Sequence, residues 1–156
     1  MTTIAYDGKT LAADTRYTLK SSYHGFAHKI LPLHSGGVVA SAGSLGGGLL
    51  IKEAIDKGGP LLKNMTKKEL DLVDSIYINK DGLAYWLCGS TYRWIPIDET
   101  TCATGTGEHV CMGFLRAGFS AADAVKATAR VDINSNDLID VYDIKRKTFK
   151  LVNFPK

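Results

Sequence analysis

The second residue of the chain, Thr2, has a hydroxyl that could act as a nucleophile if Thr2 became the N-terminal residue. A threonine hydroxyl is almost fully protonated at neutral pH, so a neighbouring base must accept its proton before the oxygen can attack an amide carbonyl. If Met1 is removed, the free α-amine of Thr2 can serve as that base, because its ordinary pKa of about 7.7 to 8.0 leaves it partly neutral at pH 7. Many proteins begin with Met-Thr, so the dipeptide alone does not indicate a nucleophile.

Several short segments downstream of this dipeptide carry charged, hydroxyl-bearing or glycine residues in a recognisable order. After Thr2-Thr3-Ile4 they are Leu11-Ala-Ala-Asp14-Thr-Arg16, Lys29-Ile30, Ser41-Ala-Gly43, Ala103-Thr-Gly-Thr-Gly107, and Asp132-Ile-Asn-Ser135 followed by Ile139-Asp-Val-Tyr142. Each match is weak by itself. Together, in this order and over nearly the whole chain, they resemble the proteasome β subunits and HslV-type peptidases, a family of N-terminal-nucleophile hydrolases that are threonine peptidases.

The resemblance implies a catalytic unit around Thr2. Lys29 would lie beside the nucleophile, where its ammonium lowers the proton affinity of the hydroxyl and the amine, and Asp14 would keep this lysine charged and oriented. Gly43 would offer a main-chain N–H to the developing oxyanion at the start of the first helix. Outside this pattern, Lys29 and Asp14 would be interpreted as a surface lysine and a turn aspartate.

A second group of residues is expected to support the N-terminal amine. The resemblance gives this role to Thr106, Asp132 and Ser135, although the family usually has serine where Thr106 stands, and the extra methyl could shift the hydroxyl. Asp132 and Ser135 could instead form a local capping pair within their loop. In some relatives the main-chain carbonyls of this loop bind a structural monovalent or divalent cation, here those of Ile133 and Asn136. No other cofactor is expected.

The resemblance also indicates where a peptide substrate would bind. Thr18 would lie on the strand that pairs with an extended peptide. The pocket for the side chain that precedes the cut would be formed by Tyr17, Ala27, Leu31, Ser41 and Leu45. Because Ser41 is small and polar where the depth of the pocket is set, we expect a roomy pocket. Core packing is an equal alternative for Leu31 and Leu45.

Hydrophobic patterning in the first half of the chain predicts two hairpins and a helix. Four strands are expected before any helix, at Thr3–Ala5, Thr10–Asp14, Lys29–Leu33 and Val38–Ala42. Asp7-Gly8 is a strong hairpin turn signal, and Pro32 suggests an edge strand or a bulge. The first helix is expected from Leu45 to Ile55. It contains Gly46-Gly47-Gly48, which costs roughly 1 kcal/mol per glycine relative to alanine and indicates close packing against another backbone or subunit.

The second half predicts a run of strands, two helices and a closing hairpin. The strands are Ser75–Ile78, Leu83–Leu87, Arg93–Ile97 and Thr101–Ala103, the helices run from Glu108 to Ala117 and onward from Ser120, and the hairpin pairs Leu138–Ile144 with Thr148–Val152. The four strands indicate a second sheet, and Thr66–Glu69 could cap a short helical turn. We expect one α+β domain over residues 1–156, a four-layer α-β-β-α sandwich of two antiparallel sheets flanked by helices, the Ntn-hydrolase fold.

Composition narrows the class of protein. The chain has 156 residues, 45% hydrophobic and 22% charged, which excludes collagen-like, disordered and disulfide-scaffold proteins. A net charge of +3 with scattered basic residues does not indicate nucleic acid, and there is no apolar run long enough for a membrane span. Three cysteines without C-x-x-C spacing disfavour a zinc site or disulfide framework. Without a secretory signal pattern, a cytoplasmic protein is expected.

These observations predict a threonine-type endopeptidase that cleaves unfolded polypeptide once Met1 is removed. The resemblance further implies a closed homo-oligomeric ring with its sites facing a chamber, and a separate ATP-dependent unfoldase as partner. Two alternatives stay open. One is a catalytically silent ring or assembly protein that retains Met1, and the other is an N-terminal-nucleophile hydrolase of small amides.

Overall fold

The computed structural model describes residues 2–19, 22–58, 65–88, 92–133 and 135–153. Met1, Gly59, Pro60 and Asn134 are among the residues outside these ranges. Within these ranges the chain is a mixed α/β protein. Its strands are β1 Thr3–Tyr6, β2 Thr10–Asp14, β3 Arg16–Leu19, β4 Ser22–Phe26, β5 Ile30–Pro32, β6 Val38–Gly43, β7 Val73–Ile78, β8 Ala84–Cys88, β9 Arg93–Pro96, β10 Cys102–Gly105, β11 Leu138–Asp143 and β12 Thr148–Asn153. Its helices are α1 Leu45–Asp56, α2 Lys67–Leu70, α3 Glu108–Arg116 and α4 Ala121–Ala129.

The strands form two five-stranded antiparallel sheets and a separate hairpin. The first sheet has the order β10-β1-β2-β11-β12, the second has the order β5-β6-β7-β8-β9, and β3 pairs only with β4 among the described strands. Six strands therefore precede α1 instead of the four expected. The extra hairpin escaped prediction because Arg16–Leu19 has only four residues and Ser22–Phe26 includes Gly25, so neither segment gives a long alternating pattern of the kind by which a half-buried strand is recognised.

The assignment of the fourth strand of the predicted run to the second sheet was wrong. Strand β10 pairs with β1 in the first sheet, with Thr3 opposite Gly105 and Tyr6 opposite Cys102. Local patterning identifies a strand but not its partner, and here the chain crosses from one sheet to the other between β9 and β10. This crossing brings the glycine-rich turn at Gly105 to the N-terminus.

Three apolar clusters hold the elements together. The first lies between the two sheets and includes Ile4 and Leu11 from one and Val38 and Ile76 from the other. The second groups residues of α1 and α2 with residues of the second sheet, and the third groups residues of α3 and α4 with residues of the first sheet. None of the helices in the described ranges is long and apolar enough to cross a membrane.

The predicted turns and caps are confirmed. The carboxylate of Asp7 accepts the amides of Lys9 and Thr10 at 2.9 and 2.7 Å, which closes the first hairpin. Thr66 and Glu69 form a capping box at the start of α2. Pro32 lies in β5, an edge strand of its sheet, where a residue without an N–H is tolerated.

The glycines at the start of α1 are explained largely by contacts within the chain. A Cβ on Gly47 would lie 2.3 Å from Val73 Cγ2, and one on Gly48 would lie 3.0 Å from Ser41 Cβ, so both glycines let α1 approach the sheet closely. A Cβ on Gly46 would meet nothing nearer than 4.0 Å, and this residue is exposed. Close packing thus accounts for two of the three glycines.

Candidate active site

The N-terminus enters the fold where three strand ends meet. Thr3 begins β1, which lies between β10 and β2, so that Thr3 is opposite Gly105 and Ile4 is opposite Ala13. Asp14 ends β2 directly beside this point and Thr2 is only 4% exposed. The position of Thr2 is therefore fixed by the central strand pairing of the first sheet.

Two glycines of the turn after β10 make room for the two threonines. A Cβ on Gly105 would lie 2.0 Å from the carbonyl oxygen of Thr2, and Gly105 has a φ of +96°, a conformation that favours glycine. A Cβ on Gly107 would lie 2.1 Å from Thr3 Oγ1. Between them, the amide of Thr106 donates to the Thr2 carbonyl at 2.8 Å. This turn is thus shaped around the Thr2-Thr3 peptide.

A chain of hydroxyl groups leads from the N-terminus to Asp132. Ser135 Oγ donates to Asp132 Oδ2 at 2.9 Å. Because that bond uses the serine proton, Thr3 must be the donor in its 2.8 Å contact with Ser135 Oγ. Thr106 Oγ1 lies 3.2 Å from Asp132 Oδ2 and 3.3 Å from the Thr2 carbonyl oxygen, and its single proton serves one of them at a time.

The structure thus brings Thr106, Asp132 and Ser135 together, but the bonds described hold the Thr2 carbonyl and the Thr3 side chain. The family resemblance predicts them around the Thr2 amine. Thr3 was not predicted as a residue of the site. The repeated threonine in Thr2-Thr3 is the signal that could have indicated it.

Asp14 and Lys29 form a buried ion pair. Lys29 Nζ donates to Asp14 Oδ1 at 3.0 Å, and the side chains are 6% and 0% exposed. Asp14 also accepts the amides of Thr3 at 2.8 Å and Arg16 at 3.0 Å. Burial raises the pKa of Asp14 and lowers the pKa of Lys29, while each partner's charge opposes the effect on the other. Neither is the surface lysine or turn aspartate of the alternative interpretation.

A second buried carboxylate, Asp140 on β11, also contacts this region. Asp140 Oδ1 lies 2.9 Å from His28 Nδ1, and Asp140 Oδ2 accepts the amide of Lys29 at 3.3 Å. Sequence reasoning missed both Asp140 and His28. The available signal was an aspartate two residues before Tyr142, on the face of β11 that contributes Tyr142 to the core between the sheets.

A small cleft of about 40 Å³ joins Thr2 to the second sheet. Thr2, Arg16, Lys29 and Gly43 line this cleft. Five of the six predicted substrate residues also line it: Tyr17, Thr18, Ala27, Ser41 and Leu45. Leu31 does not line it and packs against the cluster under α1, so core packing is the better interpretation for that residue. Ser41 Oγ is bonded to Ser75 Oγ at 2.8 Å, which ties its hydroxyl to the sheet.

Gly43 ends β6, one residue before the Ser44 cap of α1, and lines the same cleft. Its φ is +97°, and a Cβ would lie 2.0 Å from the carbonyl oxygen of Leu72. The requirement for glycine therefore comes from Leu72, in the turn that precedes β7.

The loop carbonyls suggested for a cation are in a polar setting. The carbonyl of Ile133 accepts a hydrogen bond from the guanidinium of Arg16, and the side-chain oxygen of Asn136 accepts the amide of Thr15 at 3.1 Å. No group of three or more His, Cys, Asp or Glu residues suited to a metal ion occurs among the described residues. The guanidinium of Arg16 supplies a positive charge at the Ile133 carbonyl, and a cation bound by the carbonyls of this loop stays a prediction.

Comparison with known proteins identifies the fold. No protein-family model and no curated protein sequence matches the chain. Among solved structures, the chain is similar to eukaryotic HslV from Trypanosoma brucei, with a TM-score of 0.67 and 18% identity over 90% of this chain and 97% of that chain. At this identity the likeness establishes the fold alone. The chain has an HslV-like fold of mixed α/β type with antiparallel sheets.

Proposed function

We propose that this protein is a threonine-type endopeptidase whose nucleophile is Thr2, exposed by removal of Met1. The observation that carries the proposal is the shared cleft of Thr2 and Lys29, together with the buried Asp14 that holds the lysine ammonium at 3.0 Å. Burial of the Lys29 charge at a cleft that Thr2 also lines costs desolvation energy that packing alone does not require. The HslV-like fold supports the same reaction class.

The proposed reaction is amide hydrolysis through an acyl-enzyme. The Thr2 hydroxyl transfers its proton to the free Thr2 amine and attacks the substrate carbonyl, which forms an ester and expels the amine half of the peptide after that half receives the proton. The ammonium of Lys29 favours the ionised oxygen, and the amide of Gly43 is proposed to bind the oxyanion. Water, deprotonated by the same amine, then cleaves the ester and regenerates Thr2.

Thiol chemistry at Cys102 and Cys111 is disfavoured by comparison. Burial raises the pKa of both Cys102 and Cys111 to about 11, so neither thiol is appreciably ionised at neutral pH. Neither residue lines the cleft that holds Thr2. The hydroxyl of Thr2 is the nucleophile that the cleft favours.

The wider setting is also part of the proposal. The three apolar clusters support a single four-layer α-β-β-α domain, in a cytoplasmic homo-oligomeric ring that degrades unfolded polypeptide delivered by an ATP-dependent unfoldase. Exposed Leu49 and Leu72 near the start of α1 are apolar surface that a subunit contact would cover. No cofactor is proposed.

Hydrolysis of unfolded casein and of fluorogenic peptides tests the function. The purified assembly should release peptides, Thr2→Ala should abolish release, and Thr2→Ser should retain part of it, while Thr10→Ala at the far end of the first hairpin should behave like the unmodified protein. If Thr2→Ala and unmodified protein release peptides at the same rate, the assignment of Thr2 is wrong.

The same preparation separates the alternatives. Retained Met1 with no hydrolysis of any substrate would favour a silent ring or assembly protein, since the Thr2 nitrogen would then be an amide without a basic lone pair. Turnover of nonpeptide amides without cleavage of casein would favour a small-amide hydrolase. Either result would overturn the endopeptidase proposal.

A further inference from the structure

The buried carboxylate of Asp140 has no part in the mechanism above. Asp140 is 0% exposed and lies opposite Ala13 in the first sheet, at a position where the neighbouring inward residue, Tyr142, belongs to the core between the sheets. An apolar residue at this position would extend that core. A carboxylate there requires compensating donors, because desolvation of an ion is costly.

The donors come from the segment that carries Lys29. His28 Nδ1 contacts the two carboxylate oxygens of Asp140 at 2.9 and 3.2 Å, and the amide of Lys29 donates to Asp140 Oδ2 at 3.3 Å. The Lys29 carbonyl in turn accepts the amide of Ser41 at 3.2 Å. The lysine is therefore held at its main chain on both sides and at its ammonium by Asp14.

We propose that Asp140 is a positioning residue for Lys29, which anchors the main chain of this lysine while Asp14 anchors its ammonium. The proposal rests on the proposed function, because it concerns the lysine that acts on Thr2. His28 connects the buried carboxylate to solvent, since its side chain is 60% exposed and its ring packs edge-on against Phe149. Asp140 thus sets both the place and the electrostatic environment of Lys29.

The charges around Lys29 predict that this role of Asp140 affects the pKa of Lys29, which a purely packing role would not do. Burial lowers the pKa of Lys29, and the carboxylates of Asp14 on β2, Asp140 on β11 and Asp132 in the connection before β11 act in the opposite direction. Burial raises the pKa of Asp140 itself, opposed by His28 and Lys29. Removal of the Asp140 charge should therefore let Lys29 lose its proton at lower pH.

The test compares Asp140→Asn with Asp56→Asn. Asp56 is a matched control, because it too accepts a main-chain amide, that of His34 at 2.9 Å, and lies 3.5 Å from a histidine Nδ1, yet it belongs to α1 and does not line the cleft. Asp140→Asn should lower kcat about tenfold with KM unchanged. The alkaline limb of its kcat profile should move to lower pH, because the charged form of Lys29 is the active one. Asp56→Asn should do neither.

A nitrogen-15 NMR titration of the Lys29 ammonium gives a readout that does not need activity. Its midpoint should move to lower pH in Asp140→Asn and in the smaller uncharged variant Asp140→Ser, but not in Asp56→Asn. Unchanged midpoints and unchanged kcat in folded variants would overturn the role of Asp140 alone. If the unmodified protein is inactive but the Lys29 titration midpoint still shifts in the Asp140 variants, the proposed function is overturned. The coupling of Asp140 to Lys29 is then still supported.

Discussion

Replacement of Lys29 by methionine should destabilise the protein strongly, because it leaves Asp14 as a buried carboxylate without its counter-ion. Asp14 is fully buried and would keep only the amides of Thr3 and Arg16, at 2.8 and 3.0 Å. Loss of one partner of such a pair costs about 3 to 5 kcal/mol. For a domain of this size, that corresponds to a decrease in Tm of roughly 6 to 20 °C.

The loss of unfolding free energy in Lys29→Met should increase with pH. The charge of Lys29 lowers the pKa of Asp14 against the larger effect of burial, so its removal raises the pKa of Asp14 further. A carboxyl group with a raised pKa in the folded state contributes stability that is present at low pH and lost as the pH rises through that pKa. The Lys29→Met variant should therefore lose less stability at pH 5 than at pH 8.

Guanidinium unfolding at both pH values measures this effect. The double variant Asp14→Asn with Lys29→Met should be more stable than Lys29→Met alone at pH 8, because it carries no buried charge at this pair. Lys57→Met is the control, since Lys57 and its partner Glu53 are 67% and 60% exposed and such pairs contribute within about 1 kcal/mol. The reasoning is refuted if Lys29→Met loses less than about 1 kcal/mol at pH 8, or loses equally at both pH values.

Three further substitutions test other parts of the site. Gly47→Ala should lower the free energy of unfolding by about 1 to 3 kcal/mol, because the new Cβ would lie 2.3 Å from Val73 Cγ2. Gly46→Ala should raise the free energy of unfolding of the monomer by up to about 1 kcal/mol. The reverse order of stability in thermal unfolding would contradict close packing at Gly47. Thr106→Val should lower kcat about tenfold and Thr106→Ser should retain most of it, so equal losses would argue against a role for the hydroxyl. Leu45→Ala should broaden the choice of side chain before the cut in a peptide library, and Leu31→Ala should instead cost about 2 kcal/mol of stability with cleavage preference unchanged.

Elements with strong local signals were predictable from the sequence. The hairpin around Asp7-Gly8, the capped α2 after Thr66 and the edge position of Pro32 each depend on the conformational preferences of one or two residues, which act in the same way in any fold. Boundaries agreed to within a few residues for the same reason.

Features that depend on long-range pairing were not predictable. The position of β10 beside β1 follows from a crossing between sheets that no local pattern encodes. Likewise, the roles of Gly105 and Gly107 as space for the Thr2 carbonyl and the Thr3 hydroxyl become visible only when strand ends from distant parts of the chain meet.

The residues of the candidate site were more predictable from the sequence than the hydrogen bonds that join them. Asp14 and Lys29 pair as expected, while Thr106 and Ser135 hold the Thr2-Thr3 peptide by bonds that the sequence could not specify. Asp140 was overlooked because an aspartate in a strand is usually interpreted as a solvent-facing residue. Only its complete burial changes that interpretation.

The most direct test of Thr2 as an N-terminal nucleophile is mass spectrometry of the protein after reaction with a peptide epoxyketone, which couples to both the hydroxyl and the free amine of an N-terminal threonine. The account predicts a chain that lacks Met1 and carries one adduct on Thr2, with no adduct in the Thr2→Ala variant. A chain that retains Met1 and stays unmodified, or an adduct on any other residue, would contradict it.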